Sequence, residues 1–221
     1  MSVYDLEITD ALLSTTRAVR KRLDLSKPVP RDVLLECIDL SQQAPTGSNR
    51  QGWRWIVVTD EAKRAELARL YKQGADAYLE QARANLDPND AQTGRVYDSA
   101  FWLVDHLHEV PVHVIPCVEG RLPAEGFSNV MGASLYGSIF PAVWSFQLAL
   151  RSRGLGSCYT TLHLGLEAEA AELLGIPSHM TQAALLPVAY TKGTDFKPAA
   201  RPPVSEITYL CLLYTSPSPR D

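Results

Sequence analysis

At 221 residues, with 46% apolar and 21% charged residues, the chain is long enough for one domain with a substantial core and is neither disordered nor fibrous in composition. A formal net charge of -4 and a pI near 5.7 argue against a general nucleic-acid binder. The four cysteines, Cys37, Cys117, Cys158 and Cys211, form no C-x-x-C pair and no His/Cys cluster at metal-ligand spacing, so reduced, mostly buried thiols and no metal site are expected. The start, MSVYDLEITD, is acidic where a secretory signal is basic and then apolar, which points to the cytoplasm.

In chain order, a short helix is expected over about residues 5–16. Arg17, Arg20, Lys21 and Arg22 follow as a run of cations. Such a run is ordinarily a solvated face, but this one stands in an acidic chain just before the Pro28-Val29-Pro30 break. Pro30 opens a helix in which Val33, Leu34, Cys37 and Ile38 fall at three- and four-residue steps. It stops at Ala44-Pro45, because the residue before proline disfavours helical backbone, and Thr46-Gly47-Ser48-Asn49 is small, polar and turn-prone. Trp53 to Val58 then reads as a strand that becomes buried as it proceeds. Helix, hydroxyl- and amide-rich loop, then strand: that order gathers donors at a sheet edge and suits a polar, planar or anionic ligand. Composition alone is equally that of a well-made connection.

Thr59-Asp60-Glu61 caps a helix over about residues 62–81. Residues 82–98, with Asp87-Pro88-Asn89-Asp90 and Gly94, read as a mobile excursion. Val110 to Val118 alternates like a strand, and His113 on it has no Ser, Cys or carboxylate partner at a catalytic spacing, so it reads as a core histidine. Gly126 to Leu150 carries no charge over 25 positions, but Ser128, Asn129, Ser134, Ser138, Pro141, Ser145 and Gln147 speak against a membrane span. An internal helix over 132–150, apolar on nearly all faces, is expected instead, with a partner subunit covering one side. Gly154-Leu155-Gly156 lacks the third glycine and the preceding strand of a dinucleotide fingerprint. A helix over 167–174 closes at Gly175-Ile176-Pro177. Ala183 to Tyr190 is a buried strand, and 192–203 a proline-rich loop.

Ala44-Pro45-Thr46-Gly47-Ser48-Asn49-x-Gln51-x-Trp53 resembles the signature of the FMN-dependent nitroreductase family, and the resemblance spans roughly residues 14–209. It implies an α+β fold, a mixed sheet flanked by helices, in a homodimer with FMN at the subunit interface. It also implies cofactor contacts from Pro45, Thr46, Gly47, Ser48, Asn49 and Gln51. Arg17 and Arg20 match the family's Arg-x-Ser-x-Arg segment, with Ala18 where serine often stands and one hydroxyl donor lost. Guanidinium forks suit phosphate oxygens or a ring carbonyl. Tyr159, Thr160 and Thr161 follow the glycine segment that passes over the flavin ring. Arg201 stands where the family returns a last basic residue to the phosphate.

The implied reaction is two-electron transfer: NAD(P)H reduces FMN and leaves, and a nitroaromatic, quinone or similar small acceptor takes hydride from the same face. That needs no protein nucleophile and no catalytic side chain, and none is placed for such work. The family's flavin cover implies Tyr71, Tyr78, Phe101 and Trp102 as candidate lid residues. A reductive dehalogenase of halotyrosines in the same superfamily uses a Glu-x-x-x-Tyr pair and a Lys; no Glu stands four before any Tyr here. A flavin-fragmenting enzyme of this fold, or a non-enzymatic module whose basic run docks an acidic partner, are the other readings. One domain is expected over 1–210. Residues 211–221 resemble a translated sequencing adapter, a non-native tail where the family's terminus embraces the other subunit.

Overall fold

Strand β3 (Val112–Glu119) is the centre of the sheet in the main body, pairing with three other strands. Its residues 112–118 are all buried, so both faces of this strand are covered and it reads as a continuous apolar run rather than an alternation. In the computed structural model, which describes residues 3–209, the chain divides into two compact units. Thr16–Asp195 is one; the described parts of Met1–Thr15 and Phe196–Asp221 are the other.

One edge of β3 pairs with β2 (Trp53–Val58), in a register running from Trp53↔Val118 to Val58↔His113. The other edge pairs with β5 (Met180–Gln182) at residues 117–119 and with β6 (Leu186–Thr191) at residues 112–114. β6 also carries β1 (Leu23–Asp24) and β4 (Leu155–Ser157). Val188 pairs with both Val112 and Ser157, so β4 must lie on the side of β6 away from β3. β2 and β4 are therefore three strand spacings apart, roughly 14 Å. Every pairing among the described residues is antiparallel.

On one face, Leu34 and Cys37 of α2 (Arg31–Ser41) and Val143, Phe146 and Leu150 of α6 (Phe140–Ser152) pack on Val112, Val114, Val118 and Val188. On the other, α3 (Glu61–Ala84) and α4 (Ala91–His106) bury Leu67, Leu70, Tyr71 and Leu103. There the His113 ring Nε2 lies 2.8 Å from the Leu107 carbonyl. α7 (Glu167–Leu174) has the expected bounds, because Gly175 takes the left-handed φ of 69° that ends it.

Two expectations change. The excursion at 82–98 shrinks to 85–90: α3 runs on to Ala84, and Asp90 caps α4 by accepting the Thr93 N–H at 2.9 Å. The single helix over 132–150 is two, α5 (Asn129–Gly137) and α6, broken at Ser138-Ile139 because Pro141 is stable only in a first turn. Its enclosure is one-sided within this chain: Phe127, Val130, Met131, Phe140 and Trp144 stay 40–74% exposed. No helix among the described residues is long and apolar enough to cross a membrane.

The smaller unit holds α1 (Leu6–Thr15), entered through an Ile8 N–H to Asp5 Oδ1 bond of 3.1 Å, and α8 (Val204–Ile207). Cys37, Cys117 and Cys158 are buried free thiols; Cys211 and the tail at 211–221 lie outside the described residues.

Candidate functional site

The loop that follows α2 has an unusual backbone. Ser48, Asn49 and Gln51 have φ of 54°, 51° and 52°, and they are the non-glycine residues of positive φ among those described. Each such residue costs roughly 1–2 kcal/mol, so three within four positions persist only if the surroundings over-determine them. Ser138, 91 residues away, does much of this: its Oγ accepts the Gly47 N–H at 3.0 Å and donates to Ser134 O at 2.7 Å, while its carbonyl accepts Trp53 Nε1–H at 2.8 Å. Within the loop, the Gln51 N–H donates to Thr46 Oγ1 at 3.2 Å, and Gln51 Nε2 donates to Asn49 Oδ1 at 2.9 Å. Pro45, Gly47, Ser48, Asn49 and Gln51 are left exposed, with Thr46 half-buried.

A cavity of about 530 Å³ opens beside this loop, with Ser48, Arg50, Glu119, Arg121, Met131 and Leu135 in its walls. Arg121 is held in place, donating to both Glu167 carboxylate oxygens at 2.7 and 2.8 Å and to Met180 O at 2.9 Å. Burial works against the Glu167 charge, but the Arg121 guanidinium and the Gln182 N–H outweigh it and hold the carboxyl below its ordinary range.

The other sequence-read groups lie beside β4. The Val19 N–H donates to Ser157 O at 2.9 Å, and a Cβ on Gly156 would stand 3.0 Å from Val19 Cβ, which lays the 17–20 segment along that strand. Arg17 is exposed. Arg20 is half-buried; its Nη1 donates to Ser99 Oγ at 3.2 Å, and Ser99 Oγ donates to Val96 O at 2.8 Å. Burial pushes the neighbouring Cys158 thiol up to about 11, against the pull of the Arg20 charge.

Thr160 is buried and bridged to Leu185 by two backbone bonds of 3.2 and 2.8 Å. Its hydroxyl lies 3.1 Å from that of Tyr71. Tyr71 is 2% exposed, so it is a core residue and not part of a lid. Tyr159, 37% exposed, donates its hydroxyl to Ala183 O at 2.9 Å and meets Phe140 edge-on at 5.8 Å; Phe140 in turn stacks on Tyr136 at 5.2 Å. Thr161 is exposed. Of the remaining lid candidates, Tyr78 is exposed, Phe101 lies under Arg83, and Trp102 stacks on His106 at 4.4 Å. Arg201 belongs to the smaller unit, where it is exposed and donates to Ala200 O at 2.9 Å.

The candidate residues thus fall into two groups: the 45–51 loop beside β2, and Arg17, Arg20 and 159–161 beside β4. Sequence reasoning missed Ser138, Ser99 and the Tyr71 hydroxyl, whose partners are distant in the chain and leave no local pattern.

A family model described as the nitroreductase family matches residues 13–190. The chain belongs to that family. It is 27% identical over 180 residues to an iodotyrosine deiodinase of Thermotoga neapolitana, spanning 80% of this chain and 86% of that protein. It is 29% identical over 219 residues to an NADH dehydrogenase of Thermus thermophilus, spanning 91% and 98%. Among solved structures, an oxidised iodotyrosine deiodinase bound to FMN and 3-iodo-L-tyrosine superposes with a TM-score of 0.66 at 24% identity, over 87% of this chain and 93% of that one. The nitroreductase family chain therefore has the nitroreductase-like fold its motif led one to expect.

Proposed function

We propose that this family member is an FMN-dependent NAD(P)H oxidoreductase that passes hydride to nitroaromatics, quinones or similar electron-poor acceptors, acting in the cytoplasm as a homodimer. The observation that carries the reading is the 47–51 loop, where strained backbone is fixed by Ser138 so that hydrogen-bonding side chains face outward.

The donor set fits this cofactor. Ser48, Asn49 and Gln51 offer hydroxyl and amide groups with no carboxylate among them, and Arg17 and Arg20 offer guanidinium groups to phosphate oxygens or a ring carbonyl. The two sets stand at opposite sides of the β3–β6 pair, and the uncovered Phe140 and Trp144 fit a second copy that brings one chain's loop to the other chain's arginines. Bound FMN supplies the two-electron transfer, so no protein nucleophile is required. The chain's own work is binding and electrostatics: Arg17 would stabilise negative charge on the reduced ring.

The test is anaerobic. FMN-loaded protein should bleach with NADH or NADPH and recover its colour when a nitroaromatic is added; colour that survives both donors would refute the reading. The similarity to an iodotyrosine deiodinase favours reductive dehalogenation as a second reading, although this chain has no Glu four before a Tyr. Recovery of colour with 3-iodotyrosine and not with nitroaromatics would select it.

A further inference from the structure

The Tyr71–Thr160 contact can be read by counting protons. Each hydroxyl carries one, the bond between them consumes one, and neither side chain makes another hydrogen bond among the described residues. One O–H is therefore left over at a buried position, where an unmet donor costs roughly 1–3 kcal/mol. The charged and titratable groups facing the pair are the Arg20 cation and the Cys158 thiol, which burial keeps protonated, so neither offers a strong acceptor. Either hydroxyl of the pair can be the donor; with Tyr71 at 2% exposed and Thr160 at 9%, a phenol donating to Thr160 Oγ1 would leave the threonine proton as the spare one.

We propose that Tyr71 is a positioning residue for the cofactor: by occupying a lone pair of Thr160 Oγ1, it fixes the Thr160 O–H as a donor toward the flavin. The inference rests on the FMN reading above. The backbone clamp between Thr160 and Leu185 holds the donor's origin still, and Tyr71 sets its direction. Arg20 is braced in a similar way from α4, since Ser99 accepts from its Nη1 and passes its own proton to Val96 O. Helices α3 and α4 thus each hold one cofactor-facing group from behind, which couples the order of this helical hairpin to flavin binding.

Tyr71→Phe keeps the buried ring and removes only the hydroxyl, and Thr160→Val keeps the shape. FMN dissociation constants from quenching of flavin fluorescence, and flavin midpoint potentials, should be measured for both variants, the double variant and Thr160→Ser. Each single variant should weaken FMN about fivefold, the net worth of one hydrogen bond, and shift the potential. The double variant should be no worse than Thr160→Val alone, and Thr160→Ser should bind as the parent does. Effects that multiply in the double variant overturn the inference, as does a Tyr71→Phe protein with parental affinity and potential and only a lower melting temperature. A parent protein that takes up no FMN overturns the flavin reading and this inference with it; a parent that binds while Tyr71→Phe is indifferent sinks the inference alone.

Discussion

The 45–51 loop and the 158–166 segment are both parts of the candidate site, yet they are held by opposite means. The loop is exposed, strained at three residues, and fixed largely through the side chain and carbonyl of Ser138. The 158–166 segment is clamped by backbone bonds to Leu185, and its 3₁₀ turn Leu162–Leu166 packs against α3 so closely that Gly74 has no room for a side chain. Side-chain bonds fix the exposed loop, whereas backbone bonds fix the buried segment.

The largest change should come from Gly74→Ala. Its Cβ would stand 2.1 Å from the Leu162 carbonyl oxygen, a backbone atom that cannot step aside alone. A loss on the order of 3 kcal/mol in urea unfolding is expected from such overpacking; unchanged stability would mean that the turn is not closely packed against α3.

Acid should come next and should act on the same buried side. His163 on this segment and His113 on β3 are both pushed down by burial to about 4 from 6.5, in His163 against the opposing pull of the Gln182 side chain and the Glu167 carboxylate. The unfolded chain therefore takes up protons first as pH falls. The stability these neutral rings contribute is complete above about 6.5 and is lost as pH drops toward 4. His163→Gln should flatten the plot of urea midpoint against pH across that window; an unchanged slope would assign the acid lability elsewhere.

Smallest in stability, and sharpest as a contrast, is Ser138→Ala. It removes the acceptor of the Gly47 N–H and should cost about 1 kcal/mol, while weakening FMN binding by more than that loss of stability suggests. Equal FMN affinity in calorimetric titration would show that the loop holds its strained backbone without Ser138.

Much of this molecule is legible in the chain because local signals agree. Gly175-Ile176-Pro177 fixes the end of α7, and the Pro45-to-Trp53 motif places an exposed polar loop before strand β2. The failures have physical causes as well. Asp90 is an N-cap hidden in a polar stretch, so α4 was legible only by weighing that cap above the Gly94 that follows it. Pro141 speaks against a membrane span, but it is also a first-turn residue that starts α6. Ser138, Ser99 and Tyr71 act over separations of 91, 79 and 89 residues, where the fold brings partners together and no periodicity announces them. The separation of the two groups of candidate residues follows from sheet order, which a single chain's motifs do not carry.

The central claim, that the outward-facing loop and the β4-side arginines together grip FMN, is tested most directly by the visible absorption spectrum of the purified protein after FMN is added and the excess dialysed away. The account predicts retained flavin at about one per chain, lost in an Arg17→Ala/Arg20→Ala variant that still unfolds at the parental urea midpoint. A folded, dimeric parent protein that emerges colourless would contradict it.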